Sequence, residues 1–132
     1  MPTFYLRKLV RDQVLQRCLD DPQFTTDYVV LEPRDFKASL VAKIHEETDE
    51  IPVIDEKDDE VLGELADVQE ALDALVKVYG YSKQDIITAQ AKKTAKNGAF
   101  EKRAFVTSFT IEGENEWTDY FRKNPDKYEE VA

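Results

Sequence analysis

Apolar residues recur at helical spacing in four stretches of the chain. The first lies between Leu9 and Leu19, with Val10, Val14 and Cys18 in step, and stops near Asp20-Asp21-Pro22. A second begins around Pro33, a favoured first-turn residue, and ends at Ile51-Pro52. The third starts at an Asp58-Asp59 cap, continues to Tyr79 and meets Gly80 as its stop. The fourth opens at Ser82, where SKQD resembles a capping box with Asp85 in place of the usual Glu, and closes at Asn97-Gly98. Two other runs are rich in β-branched residues: TTDYVVLE (25–32), which alternates weakly, and RAFVTSFTI (103–111). They predict short strands able to pair in a small sheet. After the turn-like EGEN, the run EWTDYFRKNPDKYEEV predicts a short amphipathic helix interrupted at Asn124-Pro125. The pattern is that of one mainly α-helical domain with a small β element, without internal repeats or linkers.

The faces of the second and third helices differ in an informative way. On the third, Val61, Leu65, Val68, Leu72, Leu75 and Tyr79 step by fours and threes, the spacing of a seam that packs against other helices. Glu64 falls at the edge of that stripe and Asp67 on the flank beside it, which Ala71, Ala74 and Val78 share. Small neighbours predict a second, partly buried surface there, open to another helix or a ligand. On the second helix, Phe36, Leu40, Ile44 and Ile51 form an apolar stripe with Glu47 inside it and with Glu50 and Lys43 along its edge. An unpaired carboxylate in such a stripe is costly or is driven to protonate. Asp49 and His45 point away, and a single His without a Cys or His partner argues poorly for zinc.

Composition narrows the class. The chain has 132 residues and 42% hydrophobic content, enough for one folded domain with a core. Its net charge of −10 disfavours non-specific attraction to a nucleic-acid polymer or an anionic membrane. A chain this acidic that handles phosphates needs a local basic pocket or a bound cation. Cys18 is the only cysteine, so no intrachain disulfide forms. The N-terminus lacks signal-peptide features, and no apolar run reaches the length of a membrane span. A soluble cytoplasmic protein is the expectation.

The carboxylates then acquire a purpose. Glu47 with Glu50, and Glu64 with Asp67, are pairs three residues apart on two helices, and so are neighbours on each helix surface. The connection between them holds Pro52 and a turn, so the helices can pack antiparallel with the pairs facing. Two carboxylates about 4 Å apart repel by roughly 4 kcal/mol at an effective dielectric near 20. Four together require protons or cations, and hard oxygen ligands suit Mg²⁺ or Mn²⁺. Against this, a chain with 28 acidic residues produces such spacings on ordinary solvated surface as well.

ExxE followed by ExxD, read here as 46-EETDE-50 and 64-ELADVQEALDAL-75, resembles the signature of the all-α nucleoside triphosphate pyrophosphatases, the MazG-like superfamily. Residues 4–14, FYLRKLVRDQV, are similar to the N-terminal Y-x-KLVRD-x-I segment of its small members, which are like phosphoribosyl-ATP pyrophosphohydrolase. Residues 92–106, KKTAKNGAFEKRAFV, are similar to their closing K-x-x-x-x-G-x-F-x-x-R-x-F segment. The resemblance covers residues 4–106 in order, and residues 107–132 form a C-terminal extension expected to pack on the same domain.

What the resemblance implies is an all-α helical bundle that hydrolyses a nucleoside triphosphate to the monophosphate and pyrophosphate with Mg²⁺, often to clear non-canonical nucleotides. It places metal ligands at Glu47, Glu50, Glu64 and Asp67, with Glu46 as a further glutamate that can orient a water. Lys43, Arg11, Lys93, Lys96 and Arg103 are candidate phosphate contacts, since Arg offers a fork and Lys a mobile point charge. Arg11 equally suits a structural ion pair with Asp12. Gly98 reads as a helix cap, Phe100 and Phe105 as core, and Trp117, Tyr120 and Phe121 as an apolar packing cluster. Members of the family commonly form homodimers or higher oligomers. Two alternatives are phosphoribosyl-ATP hydrolysis and a non-catalytic acidic helical interaction module.

Overall fold

Side-chain caps fix where the helices begin. In the computed structural model, which describes residues 1–131, Asp58 accepts a hydrogen bond from the Val61 backbone N–H at 2.8 Å at the head of one helix. Ser82 and Asp85 cap each other's backbone reciprocally, at 2.8 and 3.1 Å, at the head of the next. Five helices result among the described residues: α1 (Asp12–Asp20), α2 (Pro33–Asp49), α3 (Asp59–Val78), α4 (Lys83–Asn97) and α5 (Glu116–Lys123). Pro33 opens α2, and Asn115 caps α5 through the Trp117 N–H at 2.9 Å. Gly80 and Gly98, at φ of 86° and 78°, take the left-handed conformation that ends α3 and α4.

The fold is all-α among the described residues. The two runs expected as strands, 25–32 and 103–111, form none. Their β-branched and aromatic residues favour strands only when a partner supplies the ladder and covers one face. Here Val29 and Val30 are exposed, as are Phe105 and Val106.

The chain divides into two compact units, Met1–Lys96 and Asn97–Ala132, so the extension expected from residue 107 lies wholly within the second. In the first, α2 and α3 form the one helix–helix packing. The ammonium of Lys37, early in α2, sits 4.6 Å from the ring centroid of Tyr79 at the end of α3, whereas Glu47, late in α2, meets Glu64 and Asp67 early in α3. The pair is therefore antiparallel. Leu40 and Ala71 are its most buried apolar residues. α3 thus presents the flank of Ala71 to α2, while Leu65, Leu72 and Tyr79 of the expected seam are 49%, 40% and 56% exposed. Alanine on that flank lets the two backbones approach, which the bulkier seam does not.

In the second unit, Trp117, Tyr120 and Phe121 of α5 gather with Phe109 and Tyr128, the Phe121 and Tyr128 rings being 4.9 Å apart. A recess of about 370 Å³ opens between Phe109, Ile111, Asn115, Trp117 and Phe121. The apolar cluster expected there is present, with Trp117 still half exposed. Phe100 and Phe105, expected as core, are instead 91% and 90% exposed. Between them Arg103 takes a positive φ of 52°. No described helix is long and apolar enough to cross a membrane.

Candidate metal centre

Where α2 and α3 cross near the 51–58 connection, their carboxylates converge. One oxygen from each of Glu47, Glu64 and Asp67 lies within 4.8 Å of the others. Glu47 is only 8% exposed, the single buried charged residue among those described. Its burial follows from its place in the α2 stripe, one turn beyond Ile44 and facing α3. Glu50 is the C-cap residue of α2 and stands near enough to Glu64 for its negative charge to act on that carboxyl. Of the four carboxylates identified from spacing, Glu47, Glu64 and Asp67 thus converge, while Glu50 stays exposed at the end of α2.

Burial and charge act together on Glu64. Occlusion from solvent, and then the negative charges of Glu50, Asp67 and Glu47, hold its carboxyl above the usual range. Its Oε2 is shielded from solvent and has no hydrogen-bond partner. An acceptor left in this state is unfavourable unless a proton or cation reaches it.

Three cations balance part of the charge. Lys43 Nζ lies 3.1 Å from Glu47 Oε1 and 3.3 Å from Glu46 Oε1. Burial by itself would lower the Lys43 ammonium, but the hydrogen bonds to Glu47 and Glu46 outweigh it and hold it above lysine's ordinary value. Lys8 reaches the same Glu46 oxygen at 3.0 Å, and Arg11 Nη2 binds Asp67 Oδ1 at 2.7 Å. The Lys8 hydrogen bond, with that of Lys43, keeps Glu46 below the ordinary carboxylate range. Arg11 therefore pairs with Asp67 rather than with Asp12. Five carboxylates (Glu46, Glu47, Glu50, Glu64, Asp67) face these three cations, an excess of two negative charges if all are ionised. Glu47, Glu64 and Asp67, backed by Glu50, could hold a divalent cation, and an oxygen-only set of this kind suits Mg²⁺ or Mn²⁺.

Lys93 and Lys96 are exposed on α4, which packs on neither α2 nor α3, so the structure does not bring them to the carboxylates. Arg103 belongs to the second unit and is exposed there. His45 and Asp49 are exposed on the outer face of α2. Lys8 is the contact that spacing missed as a site residue. Its signal was its place three residues before Arg11, which lets one short segment supply both α2 and α3 with a cation. No protein family, curated protein or solved structure matches this chain.

Proposed function

We propose that the protein is a Mg²⁺-dependent nucleoside triphosphate pyrophosphohydrolase that cleaves its substrate to the monophosphate and pyrophosphate. The observation that carries this reading is the solvent-shielded Glu64 Oε2, unpartnered beside buried Glu47 and Asp67. Such an oxygen within an excess of negative charge fits the ligand set of a cation. Bound there, Mg²⁺ would polarise phosphate oxygens and lower the pKa of a water. Glu47, Glu64 and Asp67 would hold the ion, with Glu50 beside them. Glu46, kept ionised by Lys8 and Lys43, orients the attacking water by accepting its hydrogen bond. Lys43, one turn before Glu47, offsets charge on the phosphates as the pyrophosphate leaves.

Lys93 and Lys96 enter this reading only as outer phosphate contacts. Clearance of non-canonical nucleotides is the proposed role. The half-exposed α3 seam supports assembly into a homo-oligomer. Pyrophosphate release from a broad nucleotide panel with Mg²⁺ tests the activity. Turnover of at least one triphosphate, lost in Glu47→Gln with helicity intact, is expected, and no release from any nucleotide would refute it.

A further inference from the structure

The N-terminal segment, residues 1–11, has no helix or strand of its own, and Phe4, Tyr5 and Leu6 stand exposed. Little apolar burial holds it. Two ion pairs tie it to the helix pair, Lys8 to Glu46 on α2 and Arg11 to Asp67 on α3. The second differs in kind from the first, because Asp67 is one of the three carboxylates whose oxygens converge. Arg11 thus stands where a bound cation's own ligand is, and its guanidinium is half exposed, free to turn to water.

We propose that Arg11 is the built-in counter-ion of Asp67 and exchanges with a divalent cation, so that metal binding unfastens the N-terminal segment from α3. The proposal rests on the metal-site reading given above. A Mg²⁺ ion sits about 2.1 Å from its carboxylate oxygens and carries twice the charge of a guanidinium. It both competes for Asp67 and repels Arg11. The Lys8–Glu46 pair lies outside the converging trio and persists, so the segment stays tethered at one point and opens around Arg11. Arg11 is then left beside the ion, without its carboxylate.

Because an exposed ion pair contributes little, the exchange is readily reversible, and removing Arg11 should tighten Mg²⁺ binding by roughly 1.5- to 5-fold. Calorimetric titration of the full chain with MgCl₂, wild type against Arg11→Gln, measures this. Trypsin cleavage after Lys8 and Arg11, followed by intact mass at fixed ionic strength, supplies a second readout. Saturating Mg²⁺ should speed cleavage of the wild type several-fold. Asp67→Asn should cleave fast with or without Mg²⁺. If the wild type binds Mg²⁺ but Arg11→Gln binds it equally or more weakly, the exchange is refuted while the metal site stands. Cleavage unchanged or slowed by bound Mg²⁺ refutes it too. Failure of the wild type to bind Mg²⁺ at all overturns both the site and the exchange.

Discussion

Lys43 Nζ and Glu47 Oε1 form a 3.1 Å ion pair one turn apart on α2, with both side chains largely withdrawn from solvent. This pair is what lets a carboxylate occupy the apolar stripe. Removing the cation alone leaves a buried negative charge beside Glu64 and Asp67. Lys43→Met should therefore destabilise the metal-free protein by about 1–3 kcal/mol, read from urea denaturation. Mg²⁺ should recover part of the loss, since the ion supplies the missing positive charge. An unchanged midpoint in EDTA would mean that the pair carries no stabilisation.

Glu47→Gln and Glu64→Gln separate ligation from folding. Each keeps the shape of the side chain and removes one negative charge from the converging set. Mg²⁺ affinity should fall at least about tenfold, equivalent to 1.4 kcal/mol. Glu64→Gln should also hold or raise the stability of the metal-free chain, because the amide relieves repulsion from Glu50, Asp67 and Glu47. Calorimetry with MgCl₂ and thermal melts in EDTA check the two halves independently. Undiminished affinity in both variants would remove these residues from the site.

Glu64 and Glu46 make opposite contributions to pH dependence. The folded chain holds the Glu64 proton more tightly than the unfolded chain does. Its contribution to stability is full below the unfolded pKa and is lost as pH rises through the folded one. Glu46, lowered by Lys8 and Lys43, contributes above its unfolded pKa and loses that contribution as pH falls through its folded value. In EDTA, stability should thus decline with rising pH just above the ordinary carboxylate range, and Glu64→Gln should flatten that decline. Mg²⁺ binding in the same range should release protons, measurable as a buffer-dependent binding enthalpy. An identical pH profile for wild type and Glu64→Gln would contradict this assignment.

Helix positions were legible because their signals are local. Asp58, the Ser82–Asp85 box, Pro33 and Gly80 each act within a few residues of the end they define. Glu47 was legible for the same reason, as an acid out of place in a periodic stripe. The ion pairs of Lys8 and Arg11 were not, since they join residues 38 and 56 positions apart and depend on how the segment crosses the helices. The two β-rich runs misled because strand propensity needs a partner that local sequence does not specify. The α3 faces misled more instructively. Both the leucine seam and the alanine flank satisfy a helical period, and only the flank carries the small residues that admit α2 closely.

That division of faces leads to the last expectation. α3 uses its Ala71 flank against α2, so Leu65, Leu72 and Tyr79 remain a half-exposed apolar row along the other side. Leaving it in water forgoes burial worth about 25 cal/mol per Å², whereas a second copy of the same seam would cover it at helical register. The protein should therefore sediment as a dimer or larger species at micromolar concentration. Leu72→Asp should weaken association at least about tenfold by placing an unpaired charge in the interface, at a cost of 1.4 kcal/mol or more. Its helical circular dichroism should persist, because Leu72 is already 40% exposed in the single chain. Analytical ultracentrifugation of both proteins decides the matter: a monomeric wild type would show that the seam is covered in some other way, and a variant that dimerises normally would place the interface elsewhere.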